Sequence, residues 1–81
     1  MTTTEKLSEW FDEGKAKGAT HMIIVCDTYD WEDFPVFVYA PQNVRKRETT
    51  ENSKEMQKIM EVYNLSLDKQ MQLDQMRALN Y

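Results

Sequence analysis

The chain reads as an α+β fold, one small domain over residues 1–81 with the order α-β-β-α-α. Three observations carry that reading. Leu7, Trp10 and Phe11 repeat at helical spacing near the N-terminus. "HMIIVCD" and "FPVFVYA" are short runs rich in β-branched and aromatic residues. Met56, Ile59, Met60 and Tyr63 then recur at i, i+3, i+4 and i+7, the stripe of an amphipathic helix.

The first helix opens at Thr2, which pairs with Glu5 as a capping box, and Gly14 and Gly18 supply its stop signals. "HMIIVCD" is almost continuously apolar, which fits a strand covered on both faces. "FPVFVYA" is its antiparallel partner across the connection "TYDWED", with Pro35 at the strand start and Pro41 ending it. "QNVRKRETTENSK" is expected as a polar connector. Asn52 and Glu55 form a second capping box that opens a helix through "SKEMQKIMEVYNL". Ser66 caps a last helix, with Leu67 and Met71 on one side and Leu73, Met76 and Leu79 on another. A lone two-stranded hairpin is marginal and leaves open edges, so extension of the sheet in a homo-oligomer is expected.

Eighty-one residues lie near the lower limit for a self-sufficient core. Hydrophobic residues at 41% and charged residues at 30% are a globular composition. A net charge of −4 opposes direct nucleic-acid binding, which needs a basic field, and docking on an anionic membrane. The apolar run from Met22 to Cys26 is far short of the ~20 residues of a membrane span. One Cys allows no internal disulfide, and "MTTTEKLSEW" has no signal-peptide core, so a cytoplasmic protein is expected.

Nucleophilic catalysis finds little support. His21 and Cys26 are separated by five positions of one strand, which places them on opposite faces. Nothing marks Ser8, Ser53 or Ser66 as activated. Asp27, Asp30, Glu32 and Asp33 are the residues a hard cation would use, but the spacing lacks the glycine and terminal glutamate of an EF-hand loop. A two-carboxylate site for metal-dependent phosphodiester hydrolysis competes with a solvated turn in which Asp27 or Asp30 accepts backbone bonds. A glycosidase pair needs a deep cleft that a chain of this size hardly supplies. No catalytic residue, resident metal or cofactor is assigned.

Tyr29, Trp31 and Phe34 are harder to dismiss. Either neighbouring helices cover them or they form a recognition surface, since aromatic faces stack on bases and serve as interface hot spots. Asp27 and Asp30 suit polar selection, and Arg45, Lys46 and Arg47 follow the second strand, where they suit a phosphate. The same cations also read as a solvated loop. Met56, Met60, Met71 and Met76 suit core filling or an oligomer interface.

"GATHMIIVCDTYDWEDFPVFV", with "MQKIMEVYNL" and the closing "QLDQMRALNY", resembles small uncharacterised proteins of tailed bacteriophages and prophages. In those proteins a CDT-aromatic-D-x-ED-aromatic-PV segment follows a short N-terminal helix. The resemblance runs from about Trp10 to the C-terminus. Relatives carry histidines where this chain has Met76, Arg77, Ala78, Leu79 and Asn80, which counts against chemistry based on them.

The resemblance implies a counter-defence or host-takeover protein in the host cytoplasm, acting by stoichiometric binding. The expected ligand is a nucleotide-type immune signal held by Tyr29, Trp31, Phe34, Asp27, Asp30, Arg45, Lys46 and Arg47. The alternatives are inhibition of a host protein through the acidic and aromatic loop, with Asp30, Glu32 and Asp33 mimicking nucleic acid, and metal-dependent phosphodiester hydrolysis.

Overall fold

The computed structural model describes residues 2–54 and 56–81. It contains α1 (Thr4–Ala16), β1 (His21–Asp27), β2 (Glu32–Val38), α2 (Val44–Asn52), β3 (Gln57–Asn64) and α3 (Lys69–Leu73). The α+β class stands, but the expected two-stranded hairpin is a three-stranded antiparallel sheet in the order β2-β1-β3.

β1 is the centre, and its composition explains why. Met22 to Cys26 are all buried. Met22 and Ile24 join Leu7, Phe11, Tyr63, Leu65 and Ala78 on one face, where α1 and α3 pack. Ile23 and Val25 join Val38, Ile59 and Val62 on the other, where Val44 of α2 packs. Burial of each such side chain contributes about 1.5–3 kcal/mol, so this strand alone supplies much of the fold's driving force.

α1 begins one residue later than Thr2 suggests. The Thr3 hydroxyl caps it by accepting from the Lys6 amide at 3.2 Å. At its other end Ala19 N donates to Gly14 O and Gly18 N to Lys15 O, with Gly18 at φ 80°, the left-handed cap that glycine favours. Gly14 is needed for another reason. A Cβ there would lie 2.8 Å from both Leu65 and Phe37 side-chain carbons, so a bare backbone lets the helix sit close to the sheet.

The expected second helix is instead β3, and a bulge explains the error. Ile24 pairs with Glu61 while Val25 pairs with Ile59, so Met60 is an extra residue. Ile59 and Val62 therefore share one face, while Met60 and Tyr63 share the other. A bulged strand thus reproduces the three-residue spacing of a helix. The capping box assigned to Asn52 and Glu55 lies partly outside the described residues, because Glu55 is not among them.

The polar connector is in fact α2. Asn43 caps it by accepting from Arg45 N at 2.9 Å and Lys46 N at 3.3 Å. Its single buried residue is Glu51, whose carboxylate meets Arg47 at 3.0 Å and Lys54 at 3.1 Å. Gln57, with its amide nitrogen turned toward that carboxylate, donates to it as well. A helix held by one polar knot and Val44 leaves no apolar stripe to read.

The last helix is short and capped by Asp68 rather than Ser66. Beyond α3 the chain turns extended, and Leu79 bridges Val62 in parallel along the outer edge of β3. Two side chains finish this edge. Gln72, fully buried, donates to Asn64 O at 2.8 Å and accepts from Asn64 N at 2.8 Å, imitating a strand partner. Arg77 donates to the carbonyls of Met60 and Ile59 beside the bulge.

β3 supplies inside the chain the pairing that the hairpin was expected to find in a second copy. The pairing on that side of β1 therefore needs no second copy, and the outer edge of β2 is left without a strand among the described residues. Thr28 N donates to Met56 O and Leu65 N to Thr20 O, so even-numbered β1 residues bond toward β3. Odd-numbered ones then bond β2, and Pro35, opposite Ile24, turns its donorless nitrogen to the outer edge.

Gln72→Leu is expected to lower unfolding free energy by about 2–4 kcal/mol in urea titration, since both backbone groups of Asn64 lose their partner. A loss under about 0.5 kcal/mol would show that those bonds contribute nothing net. Pro35→Val is expected to keep the circular dichroism spectrum and to raise self-association in sedimentation runs. Unchanged sedimentation would refute the edge-blocking role.

Candidate functional site

The β1–β2 turn is built from its own side chains. Asp27 accepts from Tyr29 N at 2.9 Å through its carboxylate and from Trp31 N at 2.7 Å through its carbonyl. Asp30 accepts from Glu32 N at 3.1 Å. The chain closes the turn with Trp31 at φ 61°, a left-handed conformation that glycine or asparagine normally fills. Tyr29 is 77% exposed and Trp31 66%. Met56, also at φ 61° and exposed, lies beside them through the Thr28 bond to its carbonyl.

Asp33 has a different task. Its carboxylate accepts from Thr2 N at 3.2 Å and Thr2 Oγ1 at 2.6 Å, tying the start of α1 to β2. A cleft of about 390 Å³ opens there, walled by Trp10, Trp31 and Lys6, with Glu32 and Asp33 at its side. The Lys6 ammonium sits 5.6 Å from the Trp10 ring centroid. Behind Trp31 lies a second cavity of about 180 Å³, reaching Cys26, Met60 and Lys58. Trp31 and Asp33 belong to both.

The eight residues named from sequence fall into three groups. Tyr29, Trp31, Asp27 and Asp30 share the turn, the two acids as its hydrogen-bond acceptors. Phe34, opposite Val25, turns onto the α2-side core and is half-buried there. Arg45, Lys46 and Arg47 begin α2 at the other end of the sheet. Arg45 lies 4.1 Å from the Tyr81 ring centroid, and Tyr81 O accepts from Asn64, the partner of His21. β1 runs seven residues from there to the turn, about 20 Å at strand rise. Arg47 is further committed to Glu51. No cation of α2 reaches a ligand stacked on Trp31.

Among the described residues no three His, Cys, Asp or Glu side chains gather where a metal ion could be held. His21 and Cys26 occupy opposite ends and faces of β1. Burial pushes the Cys26 thiol up, and the neighbouring Asp33 adds to this, so the protonated form is favoured. Burial lowers the His21 imidazole, whose Nδ1 faces Thr20 Oγ1 at 3.0 Å and whose Nε2 has no partner.

Sequence reasoning missed Trp10, Lys6, Lys58 and Met60 as walls of the turn's cavities. Trp10 was counted into the helical stripe, and Lys6, four residues before it, was the available signal. Lys58 and Met60 were hidden by reading their strand as a helix.

The polar knot on α2 gives a pH prediction. Burial disfavours the charged Glu51, but bonds from Lys54 and Arg47 hold its carboxyl below the ordinary glutamate value of 4.5. Its stabilising contribution is therefore complete above that value and lost as pH falls through the depressed one. Arg47→Ala is expected to cost about 2 kcal/mol at pH 7 by urea unfolding, with a smaller deficit at pH 3. A deficit that grows on acidification would reverse the assignment.

No protein family matches this chain, and no curated protein or solved structure is significantly similar to it.

Proposed function

We propose that the chain is a stoichiometric binding protein whose β1–β2 turn engages a basic surface on a partner protein. One observation carries this: Tyr29 and Trp31 stand exposed on a turn fixed by their amides donating to Asp27, beside the exposed acids Asp30 and Glu32. Aromatic rings held exposed on a fixed turn are available to a partner, and aromatic residues dominate interface energetics. The acids bring on-rate and specificity toward cations, with binding that weakens as salt rises. The resemblance to small phage proteins supports host takeover or counter-defence in the host cytoplasm as the setting.

A nucleotide-type immune signal is the second reading, favoured by the Trp10–Trp31 cleft, whose volume lies in the range of small-molecule sites. It has Lys6 to meet a phosphate, but Glu32 and Asp33 oppose it there, and Arg45 to Arg47 are at the far end of the sheet. The protein partner is therefore preferred.

The turn makes a test that separates folding from recognition. Trp31→Gly relieves the left-handed strain, worth about 1 kcal/mol, and removes the ring. The thermal midpoint is expected to stay or rise while the partner retained by tagged wild-type protein from a bacterial host lysate is lost. Undiminished retention by the variant would sink the proposal. A small molecule released on heating, with no retained protein, would select the nucleotide reading.

A further inference from the structure

The cavity behind Trp31 suggests what the partner must present. We infer that it is an anchor pocket for one apolar side chain of a partner segment whose flanking residues are lysine or arginine. This rests on the turn being the recognition surface and adds the chemistry of what it recognises.

The lining decides the guest. Cys26 is 5% exposed and behaves as a small hydrophobe. Met60 and Trp31 are the other apolar walls. Met60 is unbranched and adapts to the shape it meets. Of the two charged residues, Asp33 already accepts two hydrogen bonds from Thr2, so it asks little of a ligand. Lys58 would repel a cation placed in the cavity itself, which favours an apolar tip over an arginine or lysine. About 180 Å³ suits a single side chain rather than a cofactor.

The residues next to Trp31 in the chain decide the flanks. Among the described residues neither Asp30 nor Glu32 forms an ion pair, and both are exposed. Their charge is free for a partner's cations on either side of the anchor. Lys6, by contrast, is engaged with Glu9 at 3.7 Å and with the Trp10 ring. Apolar centre and basic flanks therefore follow from different groups, the cavity lining and the two acids on either side of Trp31 in the chain.

Methyl-labelled methionine and amide NMR test this with defined probes. One is the amidated pentapeptide Lys-Arg-Leu-Lys-Arg, the second replaces its leucine by serine, and the third is Glu-Asp-Leu-Glu-Asp. The first is expected to shift the Met60 methyl and Trp31 indole signals and to bind about tenfold tighter than the serine peptide, the effect of roughly one partly buried side chain. The acidic peptide is expected to leave all signals in place. Met60→Trp, which fills the cavity, should abolish the leucine preference while shifts at Tyr29 to Glu32 persist. Equal affinity for leucine and serine peptides, with Met60 unmoved and the turn amides shifted, would overturn the anchor pocket and leave the turn as a charge-reading surface. No shift at the turn with any peptide would overturn both.

Discussion

The constraint on which the rest of the structure depends is β1, a strand apolar on both faces and needing a neighbour on both edges. Met22 and Ile24 require cover on one side, Ile23 and Val25 on the other. A hairpin satisfies one edge only. Everything after Val38 answers the remaining demands: α2 covers one face, β3 takes the open edge, and α3 with the C-terminal tail completes the opposite face. With so short a chain, each element serves one requirement. Polar side chains such as Gln72 and Arg77 consequently take over backbone pairing where no strand is left to provide it.

What the sequence made legible follows from that division. α1, β1 and β2 each show a local pattern that matches their packing, although β2 begins two residues earlier than expected, at Glu32, so that Pro35 sits in mid-strand rather than at its start. β3 is different because its pattern is true but ambiguous. A bulge at Met60 makes a two-faced strand repeat every three residues, and periodicity without knowledge of pairing favours the helix. What decides against the helix is β1's open edge, a demand forty residues away that no local window contains. α2 was invisible for the converse reason. Its stability comes from the Asn43 cap and from Glu51 between Arg47 and Lys54, and a helix stabilised by polar contacts has no apolar stripe.

The same logic sorts the candidate site. Aromatics, acids and cations are close in sequence, but closeness along a hairpin is not closeness in space once the second strand runs back to the far end of the sheet. Phe34 fails as a recognition residue because alternation turns it onto the core. Trp31 stays exposed because the turn, rather than a strand, sets its direction. Its neighbours in the site come from two other places in the chain, Lys6 and Trp10 from α1 and Met60 from β3.

Trp31 also shows the turn's chemistry and its surroundings pulling in different directions. A turn that ends in the left-handed region is relieved by glycine, and this chain places its largest side chain there. Burial does not repay that strain, since the ring is mostly exposed. Folding alone would favour replacement, because a smaller residue would relieve the backbone and remove apolar surface from water. On the proposed function, the compensation comes from an interaction that the isolated chain does not make. Position supports the same view: the ring stands between two cavities, with exposed acids beside it and Asp27 holding the backbone beneath it. A side chain that weakens its own turn while forming the wall of two cavities is what the proposed recognition role requires.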